Sequence, residues 1–565
     1  MRTLFAMFLA VICAAGCNSN SESARPEPGA PAAAVAAPAI DGQAVLEHTK
    51  ILASDEYEGR KPGTKGEELT VAYISGEFGK AGVEPGNPDG TYFQNVPLVG
   101  ITADPNTSLV FRRGGKQQRL RFRDDVVART KRVADRVSLD RSDLVFVGYG
   151  VQAPEFQWDD YKGVDLKGKT MVVLINDPPV PDPSNPSALD PKVFGGKAMT
   201  YYGRWSYKYE MGEKMGAAGV LIVHETEPAS YPFAVVQGWT AEQFDLVAPD
   251  KNMSRPAVEG WITLDRAKEL FALAGQDFEA MKKAALSRDF QPAPLGVTAS
   301  ITLRNTIRTI DSHNVVGKVA GSDPALRDEY VIYTSHWDHF GIGEPVKGDK
   351  VYHGARDNAT GIGGLIELGR AFTQLQPRPK RSVLLLAVTA EEQGLLGSEY
   401  YAKNPLYPLA KTLAVINMDS LNVHGRTSDI TITGLGNSDL DDYAKQVADG
   451  QGRKVTADPA PERGGYYRSD HFPFAKRGVP ALASGGGVEY IGKPEGWGLK
   501  MQQEYTANDY HKPSDNVRPD WDMSGAAEDL QFYWLVGYHV AQADKYPEWK
   551  PGTEFKALRE QMLGR

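Results

Sequence analysis

Residues 382–392 read SVLLLAVTAEE. An apolar run ends on two adjacent carboxylates, Glu391 and Glu392. An unpaired charge at the end of a buried strand is costly, so something must compensate it. The flanking sequence says what kind of strand this is. Upstream lie EYVIYTSH (329–336) and NATGIGGLIELGRAFTQL (358–375); downstream lie QGLLGSEYYAKN (393–404) and TLAVINMD (412–419). The order is strand, helix, strand, helix, strand, with strands apolar throughout, the pattern of strands buried on both faces. This predicts an α/β fold: a mostly parallel central sheet with helices on both faces. A last amphipathic helix over about 522–543 would cover one face, and the tail 546–565 reads as peripheral.

The remaining chain is too long for one core. At 565 residues two units are expected, one interrupting the other. Residues 42–135 read as the first part of the main domain, with a helical lead-in and short alternating stretches such as SLVFRR and RLRFRD. Residues 136–295 contain DLVFVGYGV, KTMVVLI and AAGVLIVHE, a β-rich insert. Residues 296–545 complete the main domain.

Composition narrows the function. Hydrophobic residues make up 41% and charged residues 24%, with a net charge of -9. That leaves no long basic surface for nucleic acid. The first residues, MRTLFAMFLAVICAAGC, join a positive start to an apolar stretch too short to span a bilayer comfortably, as in an export signal. The stretch ends in Ala14-Ala15-Gly16-Cys17, which resembles the lipobox of bacterial lipoproteins. The only cysteines are Cys13 and Cys17, so the body carries no disulfide. The expectation is an exported protein of the bacterial cell envelope, anchored through a lipidated Cys17, with residues 18–41 as a Ser-, Pro- and Ala-rich tether.

In open α/β sheets, ligands collect beyond the carboxyl ends of the strands. There the sequence delivers His336 and Asp338, then Glu391 and Glu392, then Asp419, while Asp357 (HGARDNATG) and His511 (DYHKPSD) arrive on loops. Three carboxylates converging in a partly dry cleft would repel one another. Two divalent metals cancel that charge: four positive charges against Asp357, Glu392, Asp419 and a hydroxide, with imidazole nitrogens that suit zinc. Ser469-Asp470-His471 spells triad letters, but adjacent residues cannot form the relay, and no G-x-S-x-G elbow or H-E-x-x-H occurs.

HWDHFG, GARDNATG, AEEQGLLGS, INMD and DYHKPSD, in that order, resemble the signature of the di-zinc exopeptidases. That family includes the bacterial leucine-type aminopeptidases, glutamate carboxypeptidase and the non-catalytic transferrin receptor. The insert, with DDYKGVDLKGKTMVVLINDPP, resembles a protease-associated domain. The resemblance implies two Zn2+ per chain: His336 and Asp419 on one, Glu392 and His511 on the other, Asp357 bridging. Glu391 would be the general base. It further implies that Asp338 accepts a hydrogen bond from His336, and that Asp357-Asn358 is a cis peptide. A Tyr in GGYYRSDHF would stabilise the oxyanion, Tyr466 aligning better than Tyr467. The activity implied is hydrolysis of amino-terminal residues from peptides. A carboxypeptidase, a glutaminyl cyclase-like enzyme or a binding protein on the same scaffold are the alternatives.

Overall fold

The computed structural model describes residues 38–565. The expected signal segment, Cys17 and most of the tether lie outside the described residues. Asp41 caps the first helix, Gly42–Leu52, by accepting the Gln43 N–H at 2.9 Å. Among the described residues no helix is long and apolar enough to cross a membrane.

The protein is α/β. At the centre of its main sheet four strands run parallel, in the order Ser382–Val388, Tyr330–His336, Thr412–Met418, Ala481–Ser484. Antiparallel strands extend both sides. Beyond Ser382–Val388 come Ala293–Val319 and Phe93–Ala103; beyond Ala481–Ser484 comes Asp429–Thr433. Every residue of the first three central strands is buried, which explains their unbroken apolar runs. Helices Thr360–Gln374 and Ser524–Gln542 supply packing: Phe372 stacks on Trp534 at 5.2 Å, and the Tyr333 hydroxyl reaches the Tyr533 carbonyl at 2.8 Å. Gly537 is required here, because a methyl group at that position would overlap the Tyr333 phenol.

A second sheet lies in the insert, with Thr170–Leu174, Gly219–His224 and Val258–Thr263 running parallel. Two of the expected boundaries are corrected. Strands Ser108–Arg113, Lys116–Arg121 and Val126–Arg129, expected in the main domain, belong to this second sheet. The boundary at 296 falls inside one strand, Ala293–Val319. Its first half pairs with Arg136–Phe146 in the second sheet and its second half with Phe93–Ala103 in the main one. Alternating apolar residues along this strand suit either sheet, so local pattern could not assign it.

The tail is not peripheral. Trp549 and Phe555 are buried, and the Arg559 guanidinium donates to the carbonyls of Leu409 and Thr412 at 3.2 and 2.8 Å. A short helix, Lys556–Met562, is thus tied to the start of a central strand.

Candidate metal centre

Three neighbouring parallel strands end at the site. Tyr330–His336 delivers His336, Ser382–Val388 leads into Glu391 and Glu392, and Thr412–Met418 leads into Asp419. Asp357 lies in the turn Ala355–Ala359 at the mouth of the helix Thr360–Gln374, and His511 follows the helix Trp497–Asn508.

The structure brings these six side chains together. His336 Nε2 is 3.2 Å from Asp357 Oδ1, 3.4 Å from Asp419 Oδ1 and 4.0 Å from Glu391 Oε2. His511 Nε2 is 3.1 Å from Glu392 Oε2 and 3.5 Å from Asp357 Oδ2. Each oxygen of Asp357 therefore faces a different imidazole. The Asp357-Asn358 peptide is cis. Ala390, Ser420 and His511 all have left-handed backbone, with φ of 52°, 66° and 57°. Such conformations cost roughly 1–3 kcal/mol each and cluster where a side chain must be aimed; here each adjoins or is a site residue.

The electrostatics call for positive charge. Burial, reinforced by Glu392, Asp419 and Asp470, pushes the Glu391 carboxyl well above the usual range. Burial opposes the charge on Glu392, but His511 and His339 overcome it and bring the carboxyl down to about 2. Burial likewise disfavours a protonated His511, yet Glu392 and Asp357 raise it to about 10. His336 is raised well above its ordinary value, its burial outweighed by Glu391, Asp357 and Asp419. The clustered carboxylates thus favour positive charge beside both imidazoles. His336 Nε2 and His511 Nε2 are buried with no well-formed hydrogen bond among the described residues. Buried imidazole nitrogens grouped with carboxylate oxygens form a donor set that fits zinc.

Asp338 acts differently from expectation. His336 Nδ1 lies 3.2 Å from the Asp338 backbone carbonyl and 3.8 Å from its carboxylate. That carboxylate instead accepts the backbone N–H groups of Glu391 and Glu392 at 2.9 and 3.4 Å. It fixes the backbone of the two glutamates. His339 meets Glu392 Oε1 at 2.6 Å. Tyr466 is buried against His471, with ring centroids 4.7 Å apart. Among the described residues no hydrogen bond or ion pair joins it to the six.

Several residues that support the site escaped the sequence reading. Ser469, dismissed with the triad letters, donates to Asp419 Oδ2 at 2.6 Å and receives the Asn417 amide at 2.7 Å. Asp515, within the DYHKPSD motif, accepts the backbone N–H groups of Arg356 and Asp357, both at 3.1 Å. Asn358 ties Ser335, Met418, Gly361 and Ser420 together. Arg60 is fully buried and donates to four carbonyls: Trp337 at 2.9 Å, and Leu52, His353 and Gly354 at 2.7 Å. Only the Asp in DYHKPSD gave a signal, by its nearness to His511.

Fold and site together define an α/β protein built around a carboxylate and imidazole cluster that could hold a metal ion. Residues 314–535 match the family model for peptidase family M28. All five motifs fall within that match, and the likeness read from them is borne out. The chain is 29% identical over 272 residues to a probable glutamate carboxypeptidase of Arthroderma benhamiae, covering 45% of this chain and 34% of that protein. It is 33% identical over 132 residues to aminopeptidase NAALADL1 of Mus musculus, covering 22% and 16%. Leucine aminopeptidase 2 of Trichophyton rubrum is 27% identical over 265 residues, covering 43% and 49%. The chain thus spans half or less of the length of these relatives. An aminopeptidase structure from Aneurinibacillus sp. strain AM-1 aligns with a TM-score of 0.49 at 17% identity, covering 91% of this chain and 95% of that one.

Proposed function

We propose that this protein is a zinc-dependent exopeptidase that removes amino-terminal residues from peptides, using two Zn2+ per chain. The observation that carries the reading is Asp357 between two imidazoles, with Glu391 beside them. Two zinc ions, one held by His336, Asp357 and Asp419 and the other by Asp357, Glu392 and His511, would supply Lewis acidity at the scissile carbonyl and acidify water.

The chain's own groups do the rest. Glu391 takes a proton from the attacking water and passes it to the departing amine, a contribution of roughly 100- to 10,000-fold for a positioned base. Asp338 fixes its backbone. Ser469 and Asp515 orient Asp419 and the Asp357 loop. Tyr466 is the donor assigned to the oxyanion by its place in GGYYRSDHF, since the Tyr467 hydroxyl is taken by Glu554 at 3.1 Å.

The insert docks on the segment that carries Ser469: Lys476 meets Glu210 at 2.6 Å, and Tyr201 packs on Phe472 at 4.9 Å. A roof over that segment suits a peptidase confined to chain ends.

One observation favours a second reading, a carboxypeptidase. Burial and the neighbouring Arg468 lower the Arg204 guanidinium to about 10. The charge of Arg468 also reaches Tyr510, the residue before His511. Among the described residues neither arginine has an ion-pair partner, so the pair suits a substrate carboxylate.

Purified protein assayed on aminoacyl and carboxy-terminal reporter peptides, with bound metal measured, separates the readings. The expected result is about two zinc per chain and cleavage from free amino ends. Glu391→Gln keeps the metal and loses at least about 100-fold in kcat. Release from the carboxyl end alone selects the second reading, and protein that takes up no zinc sinks both.

A further inference from the structure

Behind the loop that carries Asp357 lies a cavity of about 170 Å³. Arg356 forms part of its wall. The residue is about nine-tenths buried, and among the described residues its guanidinium has no hydrogen bond and no carboxylate within 4 Å. It lies over the Tyr505 ring, 4.4 Å from the centroid. A stacked phenol leaves the in-plane N–H donors of an arginine free. The Arg356 Nε is buried without a partner among the described residues, and a buried donor left unpaired is costly.

The nearby carboxylates are already used. Asp515 accepts two backbone N–H groups and the Tyr505 hydroxyl, each at 3.1 Å. Asp509 is taken by Arg518 at 2.6 Å. Glu504 is exposed at the rim. The one imidazole in the wall, His424, is lowered to about 4 by burial and by Arg356, so it stays neutral. Asn508 and Asn516 add polar groups to the wall, and Val423, Met501 and Trp521 give it an apolar patch.

We propose that this cavity binds a small carboxylate with a short apolar tail, paired with Arg356. One unpaired cation, with Arg518 already matched to Asp509, and the apolar patch of Val423, Met501 and Trp521 favour a monoanion with a hydrocarbon end over a hydrated dianion. The volume, below the roughly 300–1,000 Å³ of drug-sized pockets, limits the ligand to a short chain. The site is distinct from the metal centre, although Arg356 and Asp357 are joined by a peptide bond. The inference does not depend on the peptidase reading.

The test is isothermal titration of the zinc-loaded full-length protein with isovalerate and, separately, with inorganic phosphate. Two variants accompany the parent: Arg356→Gln removes the charge, and Met501→Trp adds bulk to the cavity wall while leaving residue 356 an arginine. Metal content and melting temperature are recorded for each. The expected result is an isovalerate site weakened at least tenfold by either variant, with phosphate binding more weakly there. Isovalerate bound equally by the parent and Met501→Trp would belong to the metal centre and would overturn the proposal. So would the absence of binding to the parent, or tighter binding of phosphate that Arg356→Gln abolishes. If Arg356→Gln does not fold, Met501→Trp decides.

Discussion

Arg60→Met tests whether the site is held from outside its own motifs. The four carbonyls to which Arg60 donates belong to three separated places: Leu52 at the end of the first helix, Trp337 after the strand that delivers His336, and His353 with Gly354 before Asp357. Burial lowers the guanidinium to about 10, with Asp515, Asp338, Asp357 and Glu392 opposing the shift, so the residue stays charged at neutral pH. A hydrogen bond to a charged group contributes about 1.5–3 kcal/mol. Four such bonds do not add, because carbonyls can relax toward water or one another. Truncating one partner of a buried charged network costs about 3–5 kcal/mol, so a loss of about 4 kcal/mol is expected. Because the two clamped loops lead to His336 and Asp357, zinc affinity should also fall by roughly 10- to 100-fold, as when groups behind a ligand are removed. Urea unfolding of the zinc-free protein reads the first effect, and chelator competition reads the second. Arg60→Lys should recover only part of either, since an ammonium offers three donors on a point charge. Unfolding free energy within about 1 kcal/mol of the parent would refute the clamp, given that buried-network truncations exceed that figure.

Other expectations follow from the same contacts. Ser469→Ala removes the hydroxyl that holds Asp419; zinc affinity should drop by about tenfold with little change in fold, as chelator competition would register. Glu399 is paired with Arg477 through two bonds of 3.0 and 2.9 Å; burial opposes its charge, but Arg477 prevails and lowers the carboxyl from 4.5 to about 2. A depressed carboxyl stabilises the fold above its unfolded value and loses that stabilisation as pH falls from about 4.5 toward 2. Discounted for partial exposure, the contribution is about 2 kcal/mol at neutral pH. Urea unfolding of Glu399→Gln should therefore show a deficit at pH 7 that shrinks below pH 4, and a constant deficit would refute the linkage. Gly537→Ala drives a methyl group into the Tyr333 phenol and should cost about 1–3 kcal/mol by overpacking, visible as a lowered melting temperature.

The chain's local order was enough for the central sheet and for the residues that meet at its edge. Continuous apolar runs such as SVLLLAV mark strands buried on both faces, and chemistry in this sheet type gathers at strand ends; both rules act within a few residues of chain. His336, Asp357, Glu392, Asp419 and His511 were therefore legible as a group, although they stand 21, 35, 27 and 92 residues apart. What holds them was not. Arg60 bonds to carbonyls 277 to 294 residues away, and Ser469 reaches Asp419 across 50. Neither leaves a periodic trace, because one hydrogen bond constrains a place in space and not a pattern in the chain. The same reason hid the true extent of the insert and the anchoring of the tail. The strand Ala293–Val319 reads alike in either sheet, and Arg559 is fixed by partners 147 and 150 positions earlier. Only folding decides which of the many buried polar groups find one another, because their desolvation is offset by partners brought near by the packing of the whole chain.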